Sequence, residues 1–116
     1  MAERKTSSTN YRNQSFLEEK CSLNELLDIL SKRWMCDVLF SIEEGNCRFG
    51  SIKEQLVYIT DHILADRLKI LERYLLVART LNEAEGRTEY TITERGLELS
   101  ALLETMCTFS DQLFAD

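Results

Sequence analysis

The most reactive side chains of this 116-residue chain are four cysteines, Cys21, Cys36, Cys47 and Cys107, and one histidine, His62. No two cysteines stand as CxxC and His62 has no ligand-spaced neighbour, so no zinc or other metal site is expected. No nucleophile elbow, phosphate-cradling glycine loop or paired acid and base occurs. The sequence therefore reads as a non-enzyme that needs no cofactor. Cys21 is the thiol best placed to react. It stands at the start of a helix beside Lys20, and backbone N–H groups and a cation both favour thiolate. The plainer reading is a half-buried small side chain of ordinary reactivity. Cys36 and Cys107 fall on helices as packing residues, and Cys47 is an unsupported pairing partner.

A second constellation is ionic. In "ITDHILADRLKILERYLLV", residues 59–77, Leu64, Leu68, Leu71 and Leu75 recur at helical spacing as a buried stripe. The opposite face then carries Asp61, His62, Ala65, Asp66, Lys69 and Arg73, with Arg67 at the flank. That is the layout of a helix that reads base edges in a DNA groove. A carboxylate there forfeits phosphate attraction, yet it can accept a hydrogen bond from cytosine N4. Asp61 also suits the positive helix N-terminus, and Asp66 is spaced to pair with Lys69 or Arg73. On the residues alone, a solvated, self-paired face fits equally well. Arg48, Lys53, Arg79, Arg87 and Thr60, with the free N–H groups after it, are candidate phosphate anchors. Glu83, Glu85 and Glu89 stand beside Arg79 and Arg87, so ordinary surface charge is the alternative there, and Arg79 is also placed to tie strand to helix.

These residues need elements to hold them. "LNELLDIL" puts Leu23, Leu26, Leu27 and Leu30 on one helical stripe. In "SKRWMCDVLFSIEEG", Trp34, Val38, Leu39 and Ile42 share a face, and Gly45 ends the helix. "CRF" reads as a short strand, and "GSIKEQL" as a short helix with Ile52 and Leu56 inward. Thr60 caps the helix that follows. The period then shifts to two: "LLVARTLN" and "RTEYTIT" form a hairpin around "EAEG", where Gly86 can take a positive φ. Thr93 caps a last helix from Glu94 to about Phe114. Its apolar positions Leu97, Leu99, Leu102, Leu103, Met106, Phe109 and Leu113 exceed what one core face needs, which predicts burial against a second copy. Trp34, Phe49 and Tyr90 read as core aromatics.

The fold class is therefore mainly α with a small β-hairpin: a winged helix-turn-helix, dimeric through terminal helices. Residues 1–14 form a polar arm, and 15–116 the winged-helix domain with its dimerisation helices. Hydrophobic residues make up 44% and charged residues 29%, as in a globular domain. No apolar run approaches the ~18 residues of a membrane span and the N-terminus lacks a signal core, so the expected address is cytoplasmic, with free thiols. The net charge of −6 argues against indiscriminate nucleic-acid binding. Much of it sits in residues 96–116, which hold four acidic side chains and no Lys or Arg.

In this order, Cys21, "KRW" at 32–34, "RF" at 48–49, "IT" at 59–60, "ILADRLKILE", Val77 and Arg79, and "EYTIT" at 89–93 with Gly96 resemble the HxlR family of bacterial winged-helix regulators. The likeness runs from Cys21 to Phe114. It implies a homodimer that binds a palindromic operator in double-stranded DNA. It also implies, in several members, an N-terminal cysteine that senses electrophiles or oxidants, which gives Cys21 a regulatory role; a small molecule between the helices is the other effector. The chain departs from the family at Lys32, where Gly is usual, and at Ser22, where Pro is usual. It departs again at "EGRT", which lacks prolines, at Leu75, which replaces a Gly, and at His62 and Ala65, which replace Lys and Thr. The rival reading is a protein-interaction module that keeps the fold and has lost DNA binding.

Overall fold

The computed structural model describes residues 22–116; the expectations for the 1–14 arm and for Cys21 lie outside that range. The chain divides into two compact units between Arg33 and Trp34. The first contributes one described helix, α1 (Leu23–Leu30), whose leucine stripe is amphipathic but contains no fully buried residue. The second holds α2 (Met35–Glu43), α3 (Phe49–Gln55), α4 (Asp61–Arg73), β1 (Val77–Asn82), β2 (Arg87–Ile92) and α5 (Glu94–Leu113).

Within that second unit α2 is the hub, packed against α3, α4, α5 and β2. Met35, Val38, Leu39 and Ile42, at i, i+3, i+4 and i+7, bury its inner face. Trp34 does not join this stripe as expected. Its φ is +75°, a left-handed conformation that a right-handed helix cannot contain, so α2 starts one residue later. Trp34 is half-buried, as are Phe49 and Tyr90, so the aromatics border the aliphatic core rather than fill it. Gly45, at φ +112°, ends the turn after α2.

"CRF" forms no strand. Arg48 is extended, but α3 begins at the next residue, which leaves no length for a ladder. One bond survives, from the Tyr90 N–H to the Cys47 carbonyl at 2.7 Å. Arg48 and Ser51 then cap α3 mutually, with the Arg48 N–H donating to Ser51 Oγ (3.2 Å) and that hydroxyl donating to the Arg48 carbonyl (2.9 Å). Ile52 is fully buried. A short turn leads to α4, capped as expected by Thr60 Oγ1, which accepts from the Ile63 N–H at 3.2 Å.

Leu64, Leu68, Ile70 and Leu71 bury the inner face of α4. Leu75 does not extend it: it is 59% exposed with φ +62°. The Leu76 N–H donates to the Leu71 carbonyl (2.9 Å) and the Leu75 N–H to the Glu72 carbonyl (3.0 Å). This is a Schellman termination with leucine where glycine is usual. Buried Leu76 and Val77 then lead into an antiparallel hairpin in which Val77 pairs with Ile92 and Asn82 with Arg87. Gly86 closes its turn at φ +66°. Thr93 caps α5, accepting from the Gly96 N–H (3.0 Å) and donating toward the Leu75 (2.6 Å) and Leu76 (3.0 Å) carbonyls. A Cβ on Gly96 would lie 2.2 Å from the Leu76 carbonyl oxygen, so only glycine permits this approach.

Candidate nucleic-acid interface

The α3–turn–α4 unit and the hairpin form one surface. Asp61, His62, Asp66, Lys69 and Arg73 are exposed along α4, and Ala65 is half-buried at the floor of a recess of about 210 Å³ that Phe49, Lys69, Glu72, Arg79 and Tyr90 also line. The recess separates the outer face of α4 from the wing. Burial among these groups pushes the Tyr90 phenol up, so it stays a neutral donor.

The charges on this surface are largely matched within it. Asp61 pairs with Lys53 of α3 at 3.2 Å, across the turn. Asp66 does not pair with Lys69 or Arg73, the expected partners. It bonds Arg67 Nη1 at 2.6 Å instead. The Arg67 side chain is only 13% exposed and lies along the protein, so Asp66 meets it locally rather than reaching across a helical turn. Arg67 thus leaves the groove-facing set. Arg79 bonds Glu72 at 3.4 Å and ties β1 to α4. Thr60 remains at the N-terminus of α4 with its hydroxyl oxygen occupied as the cap.

Arg48 is the most heavily engaged of the predicted anchors. Its Nη2 bonds Glu85 and Glu89, the latter at 3.2 Å, so it clamps the start of α3 to the hairpin. Asn82 joins the clamp, donating from Nδ2 to Glu89 (3.2 Å) and accepting from the Glu85 N–H at Oδ1 (3.3 Å). Hydrogen bonds from Asn82 and then Arg48 hold the Glu89 carboxyl below its ordinary range, and the bond to Glu89 raises the Arg48 guanidinium. Arg48 Nε is buried with no partner among the described residues. Beside it, Arg87 lines an open groove of about 550 Å³ with Phe49, Gly50, Ser51, Glu54 and Thr88.

Lys69, Arg73 and Arg87 are exposed and make no ion pair among the described residues. Sequence reasoning named Arg87 alongside Arg48, and the fold occupies Arg48 with Glu85 and Glu89. The nearby glutamates were the available signal, but the contacts join residues 37 and 41 positions apart. Of the two thiols read as packing residues, Cys36 is half-buried and Cys107 is exposed. No group of three or more His, Cys, Asp or Glu side chains among the described residues could hold a metal. No described helix is long and apolar enough to cross a membrane.

The HxlR-like helix-turn-helix family matches residues 29–116. The transcriptional regulator YodB of Bacillus subtilis is 34% identical over 91 residues, 78% of this chain and 81% of its own. Its solved reduced form superposes with a TM-score of 0.73 at 33% identity, covering 79% of this chain and 91% of that one. Its quinone-bound form gives 0.68 at 32%, covering 78% and 94%. These relatives are regulators of transcription rather than enzymes, and the family's helix-turn-helix is a DNA-binding domain. The short helix, turn, capped second helix and clamped wing described above are that domain, and the chain belongs to the HxlR-like helix-turn-helix family of transcriptional regulators.

Proposed function

We propose that two copies of the chain bind a palindromic site in double-stranded DNA, each laying α4 in a major groove with its wing over the flanking backbone. The observation that carries this reading is the open outer face of α4, with Lys69 and Arg73 exposed and uncommitted above a fully buried inner face. Lys69, Arg73 and Arg87 serve as the phosphate contacts, joined by the N–H groups that follow Thr60. His62 and Asp66 face base edges, with Asp66 selecting cytosine through its N4 donor. Arg48 and Lys53 act second, because phosphate must compete there with Glu85, Glu89 and Asp61. Affinity is then low and selectivity high.

The partner copy docks on α5. Leu102, Met106, Phe109 and Leu113 are exposed at i, i+4, i+7 and i+11, a single apolar stripe. A twofold dimer would set the two α4 helices about 34 Å apart, one turn of DNA. YodB has a quinone-bound form. By likeness, an electrophile or oxidant acting on Cys21 changes the spacing of the two heads.

Fluorescence anisotropy with the DNA upstream of the chain's own gene, against scrambled DNA and across a salt series, tests the reading. The expected result is preferential binding that weakens steeply with salt, the slope counting phosphate contacts. No binding at low salt with Cys21 reduced would favour the protein-interaction module, which the internal pairing of Arg48, Lys53 and Arg67 already supports.

A further inference from the structure

Away from the DNA-facing surface, α2 and α5 run past each other in a definite register. Ser100, almost fully buried, donates its hydroxyl to Glu43 and pins the two helices together. One turn back along α2 and one turn on along α5, Phe40 and Glu104 line the same cavity of about 490 Å³, together with Glu43, Glu44 and Cys107. Counted one further turn in the same directions, Cys36 is the α2 residue that falls toward Cys107. The bonded pair 43–100 and the shared lining by 40 and 104 set an antiparallel register, and continuing it at the helical repeat leads to 36–107. Burial first, then Asp37 and the Cys107 thiol, push the Cys36 thiol up, so the two sulfurs are electrostatic neighbours.

We infer that Cys36 and Cys107 form an oxidisable dithiol that an uncharged hydroperoxide closes to an intrachain disulfide. Cys107 is exposed at the cavity and reacts first; Cys36, half-buried and held protonated, resolves. With hydrogen peroxide as the simplest member of the class, the Cys107 thiolate attacks one oxygen, the O–O bond breaks, and the departing hydroxide is protonated to water. Cys107 is left as a sulfenic acid. Cys36 loses its proton and attacks that sulfur; the S–O bond breaks, and the hydroxide leaves with the proton as a second water. Two thiols and one peroxide give one disulfide and two waters. Glu43, Glu44 and Glu104 around the cavity repel anionic oxidants, and Phe40 supplies an apolar wall, which is why the class is a neutral hydroperoxide. Counted at about 100° per residue, Cys107 lies roughly a third of a turn from the Leu102, Met106 and Phe109 stripe, so a dimer on that stripe leaves the thiol open.

The test is intact mass spectrometry of the Cys21→Ser, Cys47→Ser double variant after hydrogen peroxide. The expected product is a monomer that has lost two hydrogens, with peptide 34–48 joined to peptide 96–116 after trypsin. In the unaltered chain, cleavage after Glu43 and Glu44 separates Cys36 from Cys47 and gives the same readout without any substitution. Adding Cys36→Ser should abolish the species and drive Cys107 on to the sulfinic acid. Thiols that stay alkylatable, a Cys107 sulfinic acid with Cys36 intact, or a disulfide between chains would each overturn the inference. None of these outcomes depends on whether the chain binds DNA.

Discussion

The α4–wing surface and the outer face of α5 lie in the same unit and are unsatisfied in opposite ways. On the first, the apolar side chains are buried and most charges already have partners: Asp61 with Lys53, Asp66 with Arg67, Glu72 with Arg79, and Glu85 and Glu89 with Arg48. On the second, the charges are solvated and the apolar side chains are bare, with Phe109 60% exposed. A surface that already pairs its own charges gains little from any polyanion that does not fit it, so it discriminates. A bare apolar stripe gains from nearly any apolar surface, so it associates strongly. DNA recognition and dimerisation are thus expected to differ in salt response: steep for α4, shallow for α5.

Phe109→Glu strikes at the stronger side of that contrast. In the proposed twofold dimer the loss of each buried side chain, itself about 1.5–3 kcal/mol, counts twice, so self-association should weaken at least a hundredfold. Sedimentation velocity at micromolar concentration should then show monomer for Phe109→Glu and dimer for the parent chain. The two regions join where Thr93 and Gly96 receive the Leu75 and Leu76 carbonyls. Gly96→Ala forces a methyl into the Leu76 carbonyl and should cost about 3 kcal/mol, read as a lowered urea midpoint with unchanged slope.

On the electrostatic side, Lys69→Ala with Arg73→Ala should cut DNA affinity roughly tenfold and lower the salt slope by about one unit per residue, leaving dimerisation untouched. A loss of affinity with no change in slope would mean that neither residue meets phosphate. Leu75→Gly has a smaller effect of opposite sign. Leu75 is exposed, so little burial is lost, and relief of its left-handed backbone should raise stability by about 1 kcal/mol, measured by thermal melting.

Leu75 also shows which features sequence can carry. The Thr60 and Thr93 caps, the Gly86 turn and the stripes of α2 and α4 were legible because each depends on residues within a turn or two of one another. Leu75 fits the leucine period but leaves the helix, because the chain must reverse there to enter the wing with Leu76 and Val77 inward. Trp34 fails in the same way at the start of α2. The Arg48 clamp was illegible because its partners stand 37 and 41 residues away and only the packing of the hairpin brings them close. Asp66 had three nearby cations, and the near-burial of Arg67 decided among them.

The clamp also gives the finest test of the contrast, because α5 has no counterpart to it. Glu89 has a folded-state carboxyl below its ordinary range, so its contribution to stability is present above the unfolded value of about 4.3 and is lost as pH falls through the lower folded value. Glu89→Gln should therefore melt below the parent at neutral pH, and the two melting curves should converge in acid. The substitution also removes one of the two carboxylates that hold Arg48 and leaves Glu85 as the single competitor for that guanidinium. At neutral pH DNA affinity should rise modestly while stability falls, a pairing of opposite signs that a merely structural clamp would not produce. If affinity falls with stability, the clamp positions the wing for DNA, and Arg48 serves the interface by holding the hairpin rather than by touching phosphate.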